Sequence, residues 1–184
     1  MARLFIAIDT PPAVAAGLLH TLPVHRGVRP VPPGQLHLTL RFLGDQDEDC
    51  AARIGKALEA MQAPPLTMQV QGVGRFRGGQ GAVLWAGLAH DDHLTALFDD
   101  IEAALADVGI ARERRRFHPH LTVARCRPGL PEAVLRDWLA AQHDLTLPAW
   151  TADRFVLFES FLSPEGARHV PRAAYPLAAI APGC

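Results

Sequence analysis

Hydrophobic and polar positions recur at two different periods along this chain, and the switches between them mark out its elements. Residues 3–9 form an Ile-, Leu- and Phe-rich run with loose alternation, which predicts a strand. Asp9-Thr10-Pro11-Pro12 then offers a capping residue followed by proline, a helix-start signal, and the predicted helix continues to about Leu22. The Pro- and Gly-rich stretch 23–34 predicts loop. Alternation returns over 35–43 and closes at Gly44. A helical period follows over 47–61, with Ala52, Ile54, Leu58 and Met61 near one face and acidic residues in the first turn, until Pro64-Pro65 stops it.

Residues 66–76 and 82–88 read as strands joined by the hairpin-like Arg77-Gly78-Gly79-Gln80-Gly81. A second long helix is predicted over 91–108, with Leu94, Leu97, Phe98, Ile101 and Leu105 as its apolar stripe and Gly109 as its stop. A strand over 119–126, a helix over 131–142, and strands around 145–149, 154–162 and 168–178 complete the chain. The halves rhyme, each running helix, loop, strand, helix, paired strands. Frequent alternation favours half-exposed antiparallel sheet. The expected fold class is α+β: residues 1–184 as a single bilobal domain, two similar lobes with antiparallel sheets facing a central cleft and helices on the outer faces.

Composition narrows the function classes. The 184 residues are 49% hydrophobic and 20% charged, values of an ordinary globular protein. A formal net charge of −1 argues against general polyanion binding, so any attraction for nucleic acid must be local. The N-terminal apolar run is too short for a signal sequence, and no stretch approaches the ~20 apolar residues of a membrane span. Cys50, Cys126 and Cys184 form no C-x-x-C pair, which implies neither a disulfide framework nor a thiolate zinc site. The expectation is a cytoplasmic monomer without a membrane partner.

The chemistry lies in a repeated word. His37-Leu38-Thr39-Leu40 and His120-Leu121-Thr122-Val123 share the form His-x-Thr-x, each inside a predicted strand. Alternation sets imidazole and hydroxyl side by side on one face and an apolar pair on the other. Breaking a phosphate ester without metal requires a base for the attacking water and an acid for the leaving oxygen, on opposite sides of phosphorus. Histidine is the side chain best poised for either task near neutral pH. The threonine hydroxyls can donate to the non-bridging oxygens as charge develops there.

With these motifs and their flanks, the chain resembles the 2H phosphoesterase superfamily, in particular its RNA 2′,3′-cyclic phosphodiesterase branch, also called 2′-5′ RNA ligase-like. The resemblance rests on Arg3-Leu4-Phe5-Ile6-Ala7-Ile8, His37-Leu38-Thr39-Leu40-Arg41-Phe42-Leu43-Gly44 and Phe117-His118-Pro119-His120-Leu121-Thr122-Val123-Ala124-Arg125. Leu157-Phe158-Glu159-Ser160, Gly166 and Tyr175 add to it. It implies metal- and cofactor-independent opening of a terminal RNA 2′,3′-cyclic phosphate to a 2′-phosphomonoester, with reverse 2′-5′ ligation as a side activity. His37 matches the proton donor, His120 the proton acceptor, Thr39 and Thr122 the phosphate-binding hydroxyls, and Arg125 a phosphate-contacting arginine. The rival readings are a small cyclic-nucleotide phosphodiesterase and a catalytically silent nucleotide-binding module.

Spacing adds further expectations. Arg125 has the wrong parity to share a face with His120 and needs a bulge or strand end to reach the cleft. Arg41 shares parity with His37 and Thr39 and is a second phosphate candidate. Phe5 is a candidate base-stacking residue, whereas parity assigns Phe42 to the core. His118 and His120 share a face, but no third or fourth metal ligand is evident. The run Arg112-Glu113-Arg114-Arg115-Arg116 suits either RNA guidance or a solvated loop. His169, with the other remaining histidines, is expected at the surface, and Trp85, Trp138 and Trp150 in the core.

Overall fold

The computed structural model describes residues 1–164 and 166–178, so Cys184 lies outside the described residues. Eight strands form one antiparallel sheet. Its order is β10 (Gly166–Pro176), β9 (Arg154–Ser163), β1 (Ala2–Asp9), β3 (His37–Gln46), β7 (His120–Cys126), β6 (Gly81–Leu88) and β5 (Val70–Gly78), with β2 (Val28–Pro30) also paired to β7. A separate two-stranded ribbon joins β4 (Leu66–Met68) to β8 (Trp150–Ala152). The α+β class holds, with the two half-sheets joined edge to edge at β3 and β7. The rhyme between halves is crossed in space. The β5–β6 hairpin from early in the chain pairs with β7, while β9 and β10 from its end extend β1.

Four helices form where the helical period predicts them: α1 (Pro12–His20), α2 (Glu48–Glu59), α3 (Asp92–Asp107) and α4 (Glu132–Ala141). Asp47 and Asp91 cap α2 and α3, accepting from the amides of Cys50 at 2.7 Å and Leu94 at 2.8 Å. Gly109, at φ +90°, follows α3 in the left-handed conformation that stops a helix. α1 starts behind Pro11 with no side-chain cap and ends two residues before Leu22. The apolar faces of all four helices share one core with Ile6, Ile8, Leu38, Leu40, Leu84, Leu121 and Val123. The helices thus cover one face of the sheet. Its other face carries a small cluster of Phe5, Ala7, Val156 and Phe158. Among the described residues no helix is long and apolar enough to cross a membrane.

Two expectations shift. The stretch 23–34 contains β2 and a single 3-10 turn at Pro33–Gln35. β7 pairs with β3 only at Leu121, so its later backbone groups need other partners, and Val28, Arg29 and Pro30 supply them opposite Cys126, Arg125 and Ala124. The strand expected at 145–149 falls instead at Trp150–Ala152. Pro148, lacking an N–H, cannot continue a ladder there, and only the bridge Gln71–Thr146 forms before it.

Candidate active site

The two motifs meet at the middle of the sheet. Leu38 and Leu121 are the residue pair that joins β3 to β7, each 1% exposed and turned into the helix-covered core. Alternation on either side of that pair turns His37, Thr39, His120 and Thr122 to the opposite face. All four are half-buried on the open face. One interstrand seam therefore gathers two imidazoles and two hydroxyls that the sequence separates widely.

Each imidazole is held the same way. His37 Nδ1 lies 2.7 Å from the Gln35 carbonyl, and His120 Nδ1 lies 2.6 Å from the His118 carbonyl. A carbonyl only accepts, so in both rings Nδ1–H donates and the neutral tautomer carries its lone pair on Nε2, the atom free to exchange a proton. Burial pulls His37 down from 6.5 to about 4. The Gln35 hydrogen bond opposes this and the neighbouring His169 adds to it. Burial also lowers His120, with the His118 bond opposing and the His118 charge assisting. Both rings are therefore neutral at pH 7 in the free protein.

Two bulges decide what else joins this face. In β3 the partners of Ala7 and Ile6 are Thr39 and Arg41, so Leu40 is an extra residue; the new register sets Phe42 opposite Phe5, before a second irregularity at Leu43. In β7 the partners of Trp85 and Leu84 are Thr122 and Ala124, which makes Val123 the extra residue. A bulge reverses the alternation beyond it. Arg125 pairs with Val83, two residues from Trp85 on β6, and so shares the face of Thr122 and His120. The bulge that parity demanded for Arg125 is present. The same geometry corrects Arg41, which turns to the core side. There its Nε stands 2.6 Å from a carboxylate oxygen of buried Glu102, and its guanidinium also contacts Glu113 at 3.3 Å and the carbonyl of Ala111. Arg41 ties β3 to α3 and to the loop before β7, and it is not aimed at the open face. Phe42, assigned to the core by parity, is 65% exposed with its ring centroid 6.1 Å from Phe5.

Aromatic groups flank both histidines. Around His37 stand Phe5 at 5.0 Å, His169 at 5.4 Å and Phe158 at 6.3 Å between ring centroids. Phe5 is only 3% exposed and is enclosed by these rings, which corrects its expected stacking role: it buttresses His37, and Phe42 is the ring left open. Around His120 stand Phe76 at 5.1 Å, His118 at 5.7 Å and Trp85 at 6.1 Å. Trp85 lies across Gly74, where an added Cβ would fall 2.1 Å from the indole, so only glycine leaves room for that ring. His169, expected at the surface, and Trp85, expected in the core, are both half-buried on this face. Period-2 registration with Ser160 and Thr122 places them there, and pairing partners are not written in a single strand's sequence. The arginine run 112–116 is an exposed loop folded around Glu113, whose carboxylate accepts from the amides of Arg114 at 2.9 Å and Arg115 at 3.1 Å.

The chain is similar to known proteins in sequence and in fold. The family model described as the 2′-5′ RNA ligase superfamily matches residues 11–160. An RNA 2′,3′-cyclic phosphodiesterase of Archaeoglobus fulgidus is 32% identical over 168 residues, 89% of this chain and 94% of that protein. The protein of the same name from Thermus thermophilus is 30% identical over 89% of this chain and 84% of its own length. Among solved structures, TT0787 of Thermus thermophilus superposes with a TM-score of 0.78 at 26% identity, covering 95% of this chain and 97% of that one. Apo LigT of Escherichia coli gives 0.77 at 24% identity over 96% and 98%.

Proposed function

The chain belongs to the 2′-5′ RNA ligase superfamily, and on that premise we propose that it opens the 2′,3′-cyclic phosphate at an RNA 3′ end to a 2′-phosphomonoester, by acid–base chemistry of His37 and His120. The observation that carries the proposal is the seam at Leu38 and Leu121, which brings both motifs to one open face with both Nε2 atoms available. In this reading the phosphate sits between the histidines. Neutral His120 takes a proton from water as its oxygen attacks phosphorus. Protonated His37 gives a proton to O3′ as the P–O3′ bond breaks. Thr39 and Thr122 donate to the non-bridging oxygens, where charge grows in the transition state. Arg125, on the same face, adds a fixed positive charge.

The burial of His37 bears on its role. A histidine pulled down to about 4 is rarely protonated at pH 7, but its imidazolium is a strong acid toward a departing alkoxide. The phosphate monoanion beside it raises its proton affinity on binding, because an opposite charge nearby favours the cation. Phe42, exposed on the His37 side, offers a ring for the terminal base. We place the protein in the reducing cytoplasm as a monomeric bilobal unit, a placement that suits the free, buried thiols of Cys50 and Cys126.

The test is kinetic and chemical. His37→Ala and His120→Ala should each lower kcat/KM on a cyclic-phosphate oligonucleotide by about 10²–10⁴-fold in EDTA. The wild-type product should be the 2′-phosphate alone. Retained activity in either variant, or a 3′-phosphate product, would overturn the assignment. Nucleotide binding without turnover in the wild type would mark a silent binding module, and equal rates on mononucleotide and oligonucleotide would mark a small-molecule enzyme.

A further inference from the structure

The aromatic groups on the open face are divided between the two histidines, and the division has a chemical meaning. Of the large apolar side chains left exposed, Phe42 lies on the His37 side and Phe76 on the His120 side. Phe76 pairs with Val83 and Gly74 with Trp85. Val83 and Trp85 pair in turn with Arg125 and Thr122, so all these side chains share the open face. The Phe76 ring is 42% exposed. It stands nearly perpendicular to His120 at 83° and 5.1 Å, and it packs 5.4 Å from Trp85 and 5.9 Å from His118. Gly74 lets Trp85 lie flat beneath this patch and support it. An ordered, half-exposed ring is a platform for one nucleobase.

We infer that Phe76, backed by Trp85 and His118, binds the base of a second nucleoside, the one whose 5′-hydroxyl takes the place of water beside His120. The inference rests on the proposed acid–base roles. If His120 activates the nucleophile, whatever stacks next to it travels with the nucleophile, whereas the nucleoside carrying the cyclic phosphate lies on the His37 side. In the joining direction, the 5′-oxygen bonds to phosphorus and its proton passes to His120. The P–O3′ bond breaks, and O3′ takes the proton of His37. A 2′-5′ linkage and a free 3′-hydroxyl result, with no further reactant. Cleavage of a 2′-5′ linkage is the reverse. Such a platform answers the competition from water at ~55 M, because a bound hydroxyl has a high effective concentration.

The experiment compares two reactions of one enzyme: hydrolysis of adenosine 2′,3′-cyclic phosphate, which needs one nucleoside, and cleavage of 2′-5′-linked adenylyl-adenosine, which needs both. Phe76→Ala should lower the ratio of the kcat/KM for cleavage to that for hydrolysis by about tenfold or more, chiefly through KM. Phe76→Trp should keep the ratio within about twofold and so show that the fold at this position survives substitution. An unchanged ratio in Phe76→Ala, or a wild-type enzyme that opens the cyclic phosphate but neither cleaves nor forms a 2′-5′ linkage, would overturn the platform. A wild type that fails to open the cyclic phosphate of an oligonucleotide as well would overturn the proposed function instead.

Discussion

His37 and His120 are held alike and surrounded differently, and the opposite tasks proposed for them rest on that difference. Both rings donate Nδ1–H to a carbonyl two residues earlier, at 2.7 and 2.6 Å, so tautomer and orientation are shared. Their difference comes from what surrounds them: His37 is enclosed by Phe5, Phe158 and His169, whereas the exposed Phe76 and His118 leave the His120 side more open. Burial lowers both proton affinities, with His37 brought to about 4. The pH dependence of kcat/KM, which reports the free enzyme, follows from this sign. The profile should be a bell whose two limbs, macroscopic constants of the pair, both lie below 6.5. Activity per free enzyme should thus rise as pH falls from 8 toward 6. The kcat profile should sit at higher pH, because bound phosphate raises both affinities. A kcat/KM optimum above pH 7 would contradict the burial argument.

At the level of elements, the bulges at Leu40 and Val123 sort the arginines, and they also mark the limit of what the sequence discloses. His37-Leu38-Thr39-Leu40-Arg41-Phe42 and His120-Leu121-Thr122-Val123-Ala124-Arg125 follow the same path: cleft, core, cleft, extra residue, core, cleft. Aligned this way, Phe42 and Arg125 are counterparts on the open face, and Arg41 and Ala124 are counterparts on the core side. Two mutations separate the roles. Arg41→Ala leaves the carboxylate of Glu102, which is only 6% exposed, without its cation, and should cost about 3–5 kcal/mol in urea unfolding. Arg125→Ala removes an exposed charge, and should change stability by less than about 0.5 kcal/mol while weakening cyclic-phosphate turnover at least about tenfold. The opposite pattern would show the bulges misassigned. The helices, both motif strands and the motif residues were legible because period 3.6, period 2 and a duplicated motif are local signals. The bulges were not, since an extra residue is defined only against a partner strand. Strict parity therefore failed for Arg41 and Phe42, and Arg125 reached the cleft only through the bulge its spacing required.

For the whole molecule, the outer strands exchange sides. The hairpin β5–β6 flanks β7, and β9–β10 flank β1 and β3, so each histidine is walled by strands distant from it in sequence. That explains why His169, Phe158, Phe76 and Trp85 escaped a reading of single segments. It also leaves the two lobes joined at the pair Leu38 and Leu121, directly beneath the four motif side chains. In the proposed reading the two half-sheets act as one catalytic unit across this seam. Residues that act as a unit lose activity together, so their separate losses do not multiply. The decisive measurement is kcat/KM on a cyclic-phosphate oligonucleotide for His37→Ala, His120→Ala and the double variant, with folding of each verified by circular dichroism. The double variant should be no more than about threefold slower than the slower single variant. A double variant whose loss equals the product of the two single losses would mean that the histidines act independently, and would contradict the shared site.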